Sequence, residues 1–367
     1  MAHLRTAALL LAGLVMPATA QEVATRDHFV SVKSTVPALV GKTARLYVRE
    51  RALPAVLARG AGDKVVLFVH GAGTPAEVSF DVPYQDYSWM AYLAKAGYDV
   101  FAVDMTGYGR STRPAPMDDK CNLSPPQQKT FGVQCPQSYP GALTSIGSDW
   151  NDISATVDFI RKTRHVRKIS LVAWSQGGPR AGGWAAQHPE QVAKLILLAP
   201  AYNRTTQHAT PPLPVPGPVF NTQSHDEFTA NWDRQAPCAA QVDPQAAASV
   251  WSEMLASDPV GAKWTPAVRR ASISSYVPGW TTEMVKTMTM PTLMVSGEND
   301  KQVNPERVRD LYADIGSSRK VFIDLGCSSH NAMWEKNHRL LFQASLEWLE
   351  KTTVNGQSNT MLKLPAP

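Results

Sequence analysis

The sequence predicts an α/β fold, a doubly wound and mostly parallel sheet interrupted by a helical cap, from three observations. Short β-branched apolar runs recur along the 367 residues, and they alternate with longer stretches that carry helical caps. The runs are apolar at nearly every position, as parallel strands covered on both faces are. The alternation breaks once, between residues 200 and 290.

In chain order, 29–34 and 44–50 alternate apolar with polar residues and predict an antiparallel hairpin at one sheet edge. The runs 65–69, 99–103, 169–173, 195–198, 292–295 and 320–323 supply the buried strands. Helices are expected over 88–96, 150–163, 180–187, 306–314 and 340–350, the first with Ser88 as cap and Gly97 just beyond. Between 112 and 144 runs a long irregular loop beside the same edge. After the proline-dense segment 211–218, the interruption reads as helical pieces near 226–233, 244–256, 266–274 and 282–286. These carry Trp232, Trp251, Trp264, Tyr276 and Trp280, which either roof an apolar pocket or pack the cap onto the core. The division is therefore a core over 21–199, a cap over 200–290, a second core part over 291–351 and a loose tail over 352–367.

Composition narrows the function classes. Hydrophobic residues make up 44% and charged residues 18%, which indicates a globular chain. The net charge of +5 is spread without a basic run, so nucleic acid and an anionic membrane are not expected partners. Residues 1–20 combine a basic start (Arg5), an apolar stretch over 6–16 and the small-residue site Ala18-Thr19-Ala20, the pattern of a signal peptide cleaved after Ala20. That stretch is about half the roughly twenty residues that span a bilayer, and no later segment is long and apolar enough. A periplasmic or secreted protein is expected.

Export makes disulfides the expected state of the four cysteines, for which three connectivities are open. Cys121 and Cys135 bracket one proline-rich excursion, and that choice leaves Cys238 with Cys327. A metal site at Cys327-Ser-Ser-His330 lacks a second ligand cluster.

Chemistry is concentrated in Val172-Ala173-Trp174-Ser175-Gln176-Gly177-Gly178, which follows a buried strand and opens a helix. A chain reversing that sharply strains its central residue and needs small neighbours two positions away on each side, here Ala173 and Gly177. The serine then stands at a helix N-terminus, where free N–H groups favour developing negative charge. Serine needs a base, and the base needs a carboxylate to hold its tautomer. Asp300 follows the strand 292–295 in Ser296-Gly297-Glu298-Asn299-Asp300, and His330 lies on the loop after 320–323. Glu298 is the rival to Asp300, and the Gly-x-x-Asp spacing favours Asp300.

The order Ser, Asp, His with such an elbow resembles the α/β-hydrolase superfamily, over nearly all the chain beyond the leader. Phe68-Val-His70-Gly71-Ala72-Gly73 and Asp104-Met-Thr-Gly107-Tyr-Gly109-Arg-Ser111, each after a strand, are similar to segments of that superfamily. The resemblance implies Ser175 as nucleophile, His330 as general base and Asp300 as its orienter, with an oxyanion hole from the backbone N–H groups of Ala72 and Gln176. It treats Asp104 as part of a structural turn and His70 as a brace of the oxyanion loop. Ala173 replaces the more usual glycine, as in some lipases of the superfamily.

The expected activity is hydrolysis of carboxylic esters through an acyl-enzyme, without cofactor or metal, in a lidded and largely apolar pocket. Small-molecule, lipid and polymer esters all remain open as substrates, as does the oligomeric state. Fold alone does not choose among the chemistries this triad serves. An iminopeptidase or amidase, for which Asp226, Glu227 and Asp233 offer carboxylates, and a carbon-carbon bond hydrolase are alternatives on the same residues. A catalytically silent binding protein on the same scaffold is the alternative from another class.

Overall fold

The computed structural model describes residues 22–205, 217–264, 267–271 and 280–365. The expected leader, Tyr276 and most of the proline-dense segment lie outside them. Among the described residues the strands are β1 Ala24–Lys33, β2 Thr43–Ala52, β3 Val65–Val69, β4 Asp99–Val103, β5 Ile169–Trp174, β6 Val192–Leu198, β7 Phe220–Ser224, β8 Ala267–Ala271, β9 Thr292–Gly297, β10 Lys320–Leu325 and β11 Asn359–Leu364. One large sheet runs β1-β2-β4-β3-β5-β6-β9-β10-β11. Only the pairs made by β2 are antiparallel, so the hairpin sits at one edge and the rest is parallel.

The two-residue side-chain period of a strand explains why the central runs are apolar throughout. In β3, Val65, Leu67 and Val69 enter one hydrophobic cluster, while Val66 and Phe68 enter the cluster on the opposite face. The helix Ile146–Arg164 covers the first face with Ile153, Val157 and Ile160, at helical spacing. Its start is a capping box in which Ser145 and Ser148 satisfy each other's backbone N–H groups. The helix His338–Lys351 covers the second face, and its Phe342 stacks on Trp89.

The chain end and the insertion differ from the sequence expectation, and the loop expected to be irregular over 112–144 contains a short helix, Pro125–Thr130. The chain end is not a loose tail: β11 adds to β10 in parallel register and closes that sheet edge. Unpaired backbone groups along β10 give the segment partners, and Leu362 and Leu364 pack against the second-face cluster. A turn at Asn355-Gly356, both with positive φ, brings the chain back from the last helix. In the insertion, the piece expected as a helix over 266–274 contains β8, which pairs antiparallel with β7. Among the described residues the insertion therefore combines helices His225–Asp233, Pro244–Ser257 and Thr282–Thr287 with a two-stranded ribbon. Alternation decides the ribbon: Arg269 turns to the buried Asp258, and Arg270 turns to the opposite side.

Disulfides join Cys121 to Cys135 and Cys238 to Cys327. The second crosses from the cap to the loop after β10. Among the described residues no helix is long and apolar enough to cross a membrane.

Candidate active site

Sheet order brings the chemistry-bearing loops together. From β3 the chain moves to β4 on one side, and from β5 onward strands add on the other side, so the loops after β3 and β5 meet where the winding reverses. Ser175 directly follows β5 with φ of 57°. A left-handed non-glycine residue is strained and persists only where its surroundings hold it. Here Ser175 N donates to Leu198 O at 2.9 Å, and Gly178 N and Ala201 N both donate to Ser175 O at 2.9 Å.

Close approach explains the small residues around the serine. A Cβ at Gly177 would lie 2.4 Å from Val69 O, and one at Gly178 would lie 2.6 Å from Pro200 Cβ. The position two residues after the serine must be glycine. The position two before tolerates Ala173, whose own Cβ would be 3.3 Å from that hypothetical atom. The helix expected over 180–187 begins as a π-helical turn, Gly178–Gly182, and continues as α-helix over Gly183–Gln187.

Asp300 and His330 meet at the ends of the neighbouring strands β9 and β10. His330 Nδ1 lies 2.8 Å from Asp300 Oδ2, while Asp300 Oδ1 accepts the backbone N–H groups of Gln302 and Val303 at 2.8 Å each. Both side chains are buried. Glu298 is elsewhere, bonded to Lys363 and to the Cys327 N–H, so Asp300 is the carboxylate that meets the imidazole. The loop bearing His330 is held from several sides. Trp174 Nε1 donates to His330 O at 2.8 Å, and Ser329 donates to the buried Glu335, which also accepts Trp232 Nε1 at 2.9 Å. Burial raises the Glu335 carboxyl above the usual carboxylate range. Cys327 is committed to the disulfide with Cys238, which removes its sulfur from any metal set.

The loop carrying Ala72 rests on groups that the sequence reading did not single out. Arg180, fully buried, donates through Nη1 to His70 O at 3.0 Å and Gly71 O at 2.9 Å, and its Nε meets Asp149 Oδ2 at 2.7 Å. The available signal was one arginine in an otherwise small and apolar helix start. His70 Nδ1 donates to Gly71 O at 2.7 Å, and its Nε2 accepts Met105 N–H at 3.1 Å. Burial and the adjacent Arg180 hold its pKa well below the ordinary histidine range. Asp104 accepts Ala76 N–H and Arg110 N–H at 2.8 and 2.9 Å, which closes a turn away from Ser175.

Ala72, Ser175 and His330 line one cavity of about 260 Å³ with Thr74, Trp174, Gln223, Phe228, Asn231, Arg270, Gln302, Asn331 and Trp334. The expected apolar pocket is therefore corrected: apart from three aromatic rings and Ala72, its wall is polar and includes a cation. Of the aromatics in the insertion, Trp232 packs on Trp334 and Trp264 on Phe131, across to the core, whereas Trp251 packs on Phe228 and Trp280 on Tyr202, within the insertion itself. Asp226, Glu227 and Asp233 are not in this wall.

A family model described as serine aminopeptidase, S33 (Hydrolase_4) matches residues 60–337. No curated protein sequence matches the chain. A solved serine hydrolase involved in carbazole degradation is 18% identical, with a TM-score of 0.54 over 89% of this chain and 99% of that one. A thermophilic esterase from Thermogutta terrifontis is 17% identical, with a TM-score of 0.54 over 89% and 100%. A bromoperoxidase from Bacillus anthracis is 13% identical, again with a TM-score of 0.54 over 89% and 100%. At these identities the likeness is one of fold, the α/β-hydrolase fold.

Proposed function

The chain belongs to the serine aminopeptidase S33 family of α/β-hydrolases, and from that premise we propose that it is an exported serine hydrolase that cleaves carboxylic esters through an acyl-enzyme. One observation carries the reading: Ser175, presented by a strained turn, shares a cavity with an imidazole whose far nitrogen is bonded to a buried carboxylate. With Nδ1 engaged by Asp300, Nε2 is the nitrogen of His330 that serves as base to the serine. Ser175 Oγ attacks the acyl carbon as its proton passes to His330. The oxyanion rests on the N–H groups of Ala72 and Gln176, each worth roughly 3 kcal/mol at the transition state. His330 then protonates the departing alkoxide, and water cleaves the acyl-serine by the same proton path. No cofactor enters these steps.

The family's description also raises aminopeptidase chemistry. An amine-bearing substrate calls for a carboxylate in the cavity wall, and among the described lining residues there is none. The leader and the two disulfides support export. Initial rates on a neutral aryl ester and on a proline anilide test the choice: faster turnover of the ester is expected, and preferential anilide cleavage would overturn it.

A further inference from the structure

Consecutive arginines on β8 have opposite surroundings. Arg269 is neutralised, with Nη2 2.7 Å from Asp258 Oδ1 and a further ion pair to Asp118. Arg270 lines the cavity of Ser175 and His330, and among the described residues no carboxylate forms an ion pair with it. Glu227, whose charge reaches it only at a distance, is occupied in capping Ser224 N–H at 2.8 Å. Burial holds the guanidinium below the ordinary arginine range.

Its placement is close to the proposed chemistry. A Cβ at Gly73 would lie 2.7 Å from Arg270 Nη1 and 2.8 Å from its Cδ, so the side chain lies against the main chain one residue past Ala72. Gly73 has φ of 88°, and a side chain there would displace the arginine. The side-chain amides of Gln223, Asn231, Gln302 and Asn331 complete a wall rich in hydrogen-bond donors. A half-buried cation with no counter-charge paired to it is costly, and the cost is recovered when an anion binds it in the same cavity.

Resting on the ester-hydrolase reading above, we propose that Arg270 is a specificity residue and that the substrate is an ester carrying a carboxylate in its acyl or alcohol part. The carboxylate seats on the Arg270 guanidinium while the scissile carbonyl reaches Ser175. Arg270 touches the substrate away from the reacting atoms and selects by charge.

The test compares matched ester pairs. For the acyl side these are the nitrophenyl half-ester of glutaric acid and the nitrophenyl methyl diester; for the alcohol side, carboxyphenyl acetate and carbamoylphenyl acetate. In one pair the ratio of kcat/KM, anionic over neutral, should be about tenfold or more, falling to about one or below in Arg270→Gln and staying intermediate in Arg270→Lys. Taking the ratio cancels any general loss of activity in the variants. A wild-type ratio at or below one in both pairs, or a ratio unchanged in Arg270→Gln, overturns the proposal. Thermal melting with glutarate or its neutral diamide reads binding without turnover. Stabilisation by glutarate that Arg270→Gln abolishes, with no ester cleaved, retains the anion subsite and overturns the ester reading. Ester cleavage without charge preference does the reverse.

Discussion

Trp174 donates its indole N–H to the carbonyl oxygen of His330 at 2.8 Å, with the two rings 5.4 Å apart, so the residue before the proposed nucleophile holds the proposed base. Trp174→Phe keeps an aromatic ring and leaves a buried carbonyl without its donor. The expected cost is about 1–3 kcal/mol in unfolding free energy, with kcat on a neutral ester falling about tenfold. Urea unfolding and steady-state kinetics measure the two; an unchanged kcat would mean that the contact does not position His330.

Arg180 is the buried clamp of the loop that carries Ala72, the proposed oxyanion donor. Arg180→Met removes the donor to His70 O and Gly71 O and strands the Asp149 carboxylate, already raised by burial. Losing one member of such a pair costs about 3–5 kcal/mol. The double variant Asp149→Asn with Arg180→Met should regain part of that stability and little of kcat, since the loop still lacks both Arg180 contacts. Full recovery of activity would contradict this role.

The two disulfides should differ in function. Cys238–Cys327 spans 89 residues and ends three positions before His330, whereas Cys121–Cys135 spans 14 and lies in the loop after β4. In the chain-entropy model their removal costs about 4–5 and about 3 kcal/mol. Both double serine variants should melt at lower temperature, but only the first should also lose kcat. Equal effects on kcat would show that the cap tether does not order the His330 loop.

Asp152 gives the fold a pH dependence of known sign. Burial pushes its carboxyl from 3.8 up to about 7, so between these values the folded state binds a proton that the unfolded chain has lost. Its contribution to stability is present below about pH 4 and is lost as pH rises to about 7, on the order of 4 kcal/mol. Asp152→Asn keeps an oxygen to accept the Thr106 N–H, now bonded at 2.8 Å. The variant should match wild type near pH 4 and exceed it at pH 8 in urea unfolding; a difference independent of pH would contradict the assignment.

How much was legible follows from what each residue encodes locally. The central strands announce themselves because burial on both faces leaves no polar position in runs such as 65–69. Ser175, Asp300 and His330 each sit directly beyond a readable strand, so their convergence follows once the strands are adjacent. β8 was missed because Arg269 and Arg270 look alike until Asp258 claims one of them across eleven residues. β11 depends on an open edge of β10, although Asn355-Gly356 was a usable turn signal. The Arg180–Asp149 clamp and the polar cavity wall are assembled from distant segments, and neither has a local signature.

The central claim is that Ser175 is an activated nucleophile. Intact-mass and peptide mass spectrometry after treatment with a fluorophosphonate tests it most directly. One adduct on the Ser175 peptide is expected, absent in Ser175→Ala and slowed by three or more orders of magnitude in His330→Ala. No adduct on the folded wild-type protein, or an adduct that persists in Ser175→Ala, would contradict it.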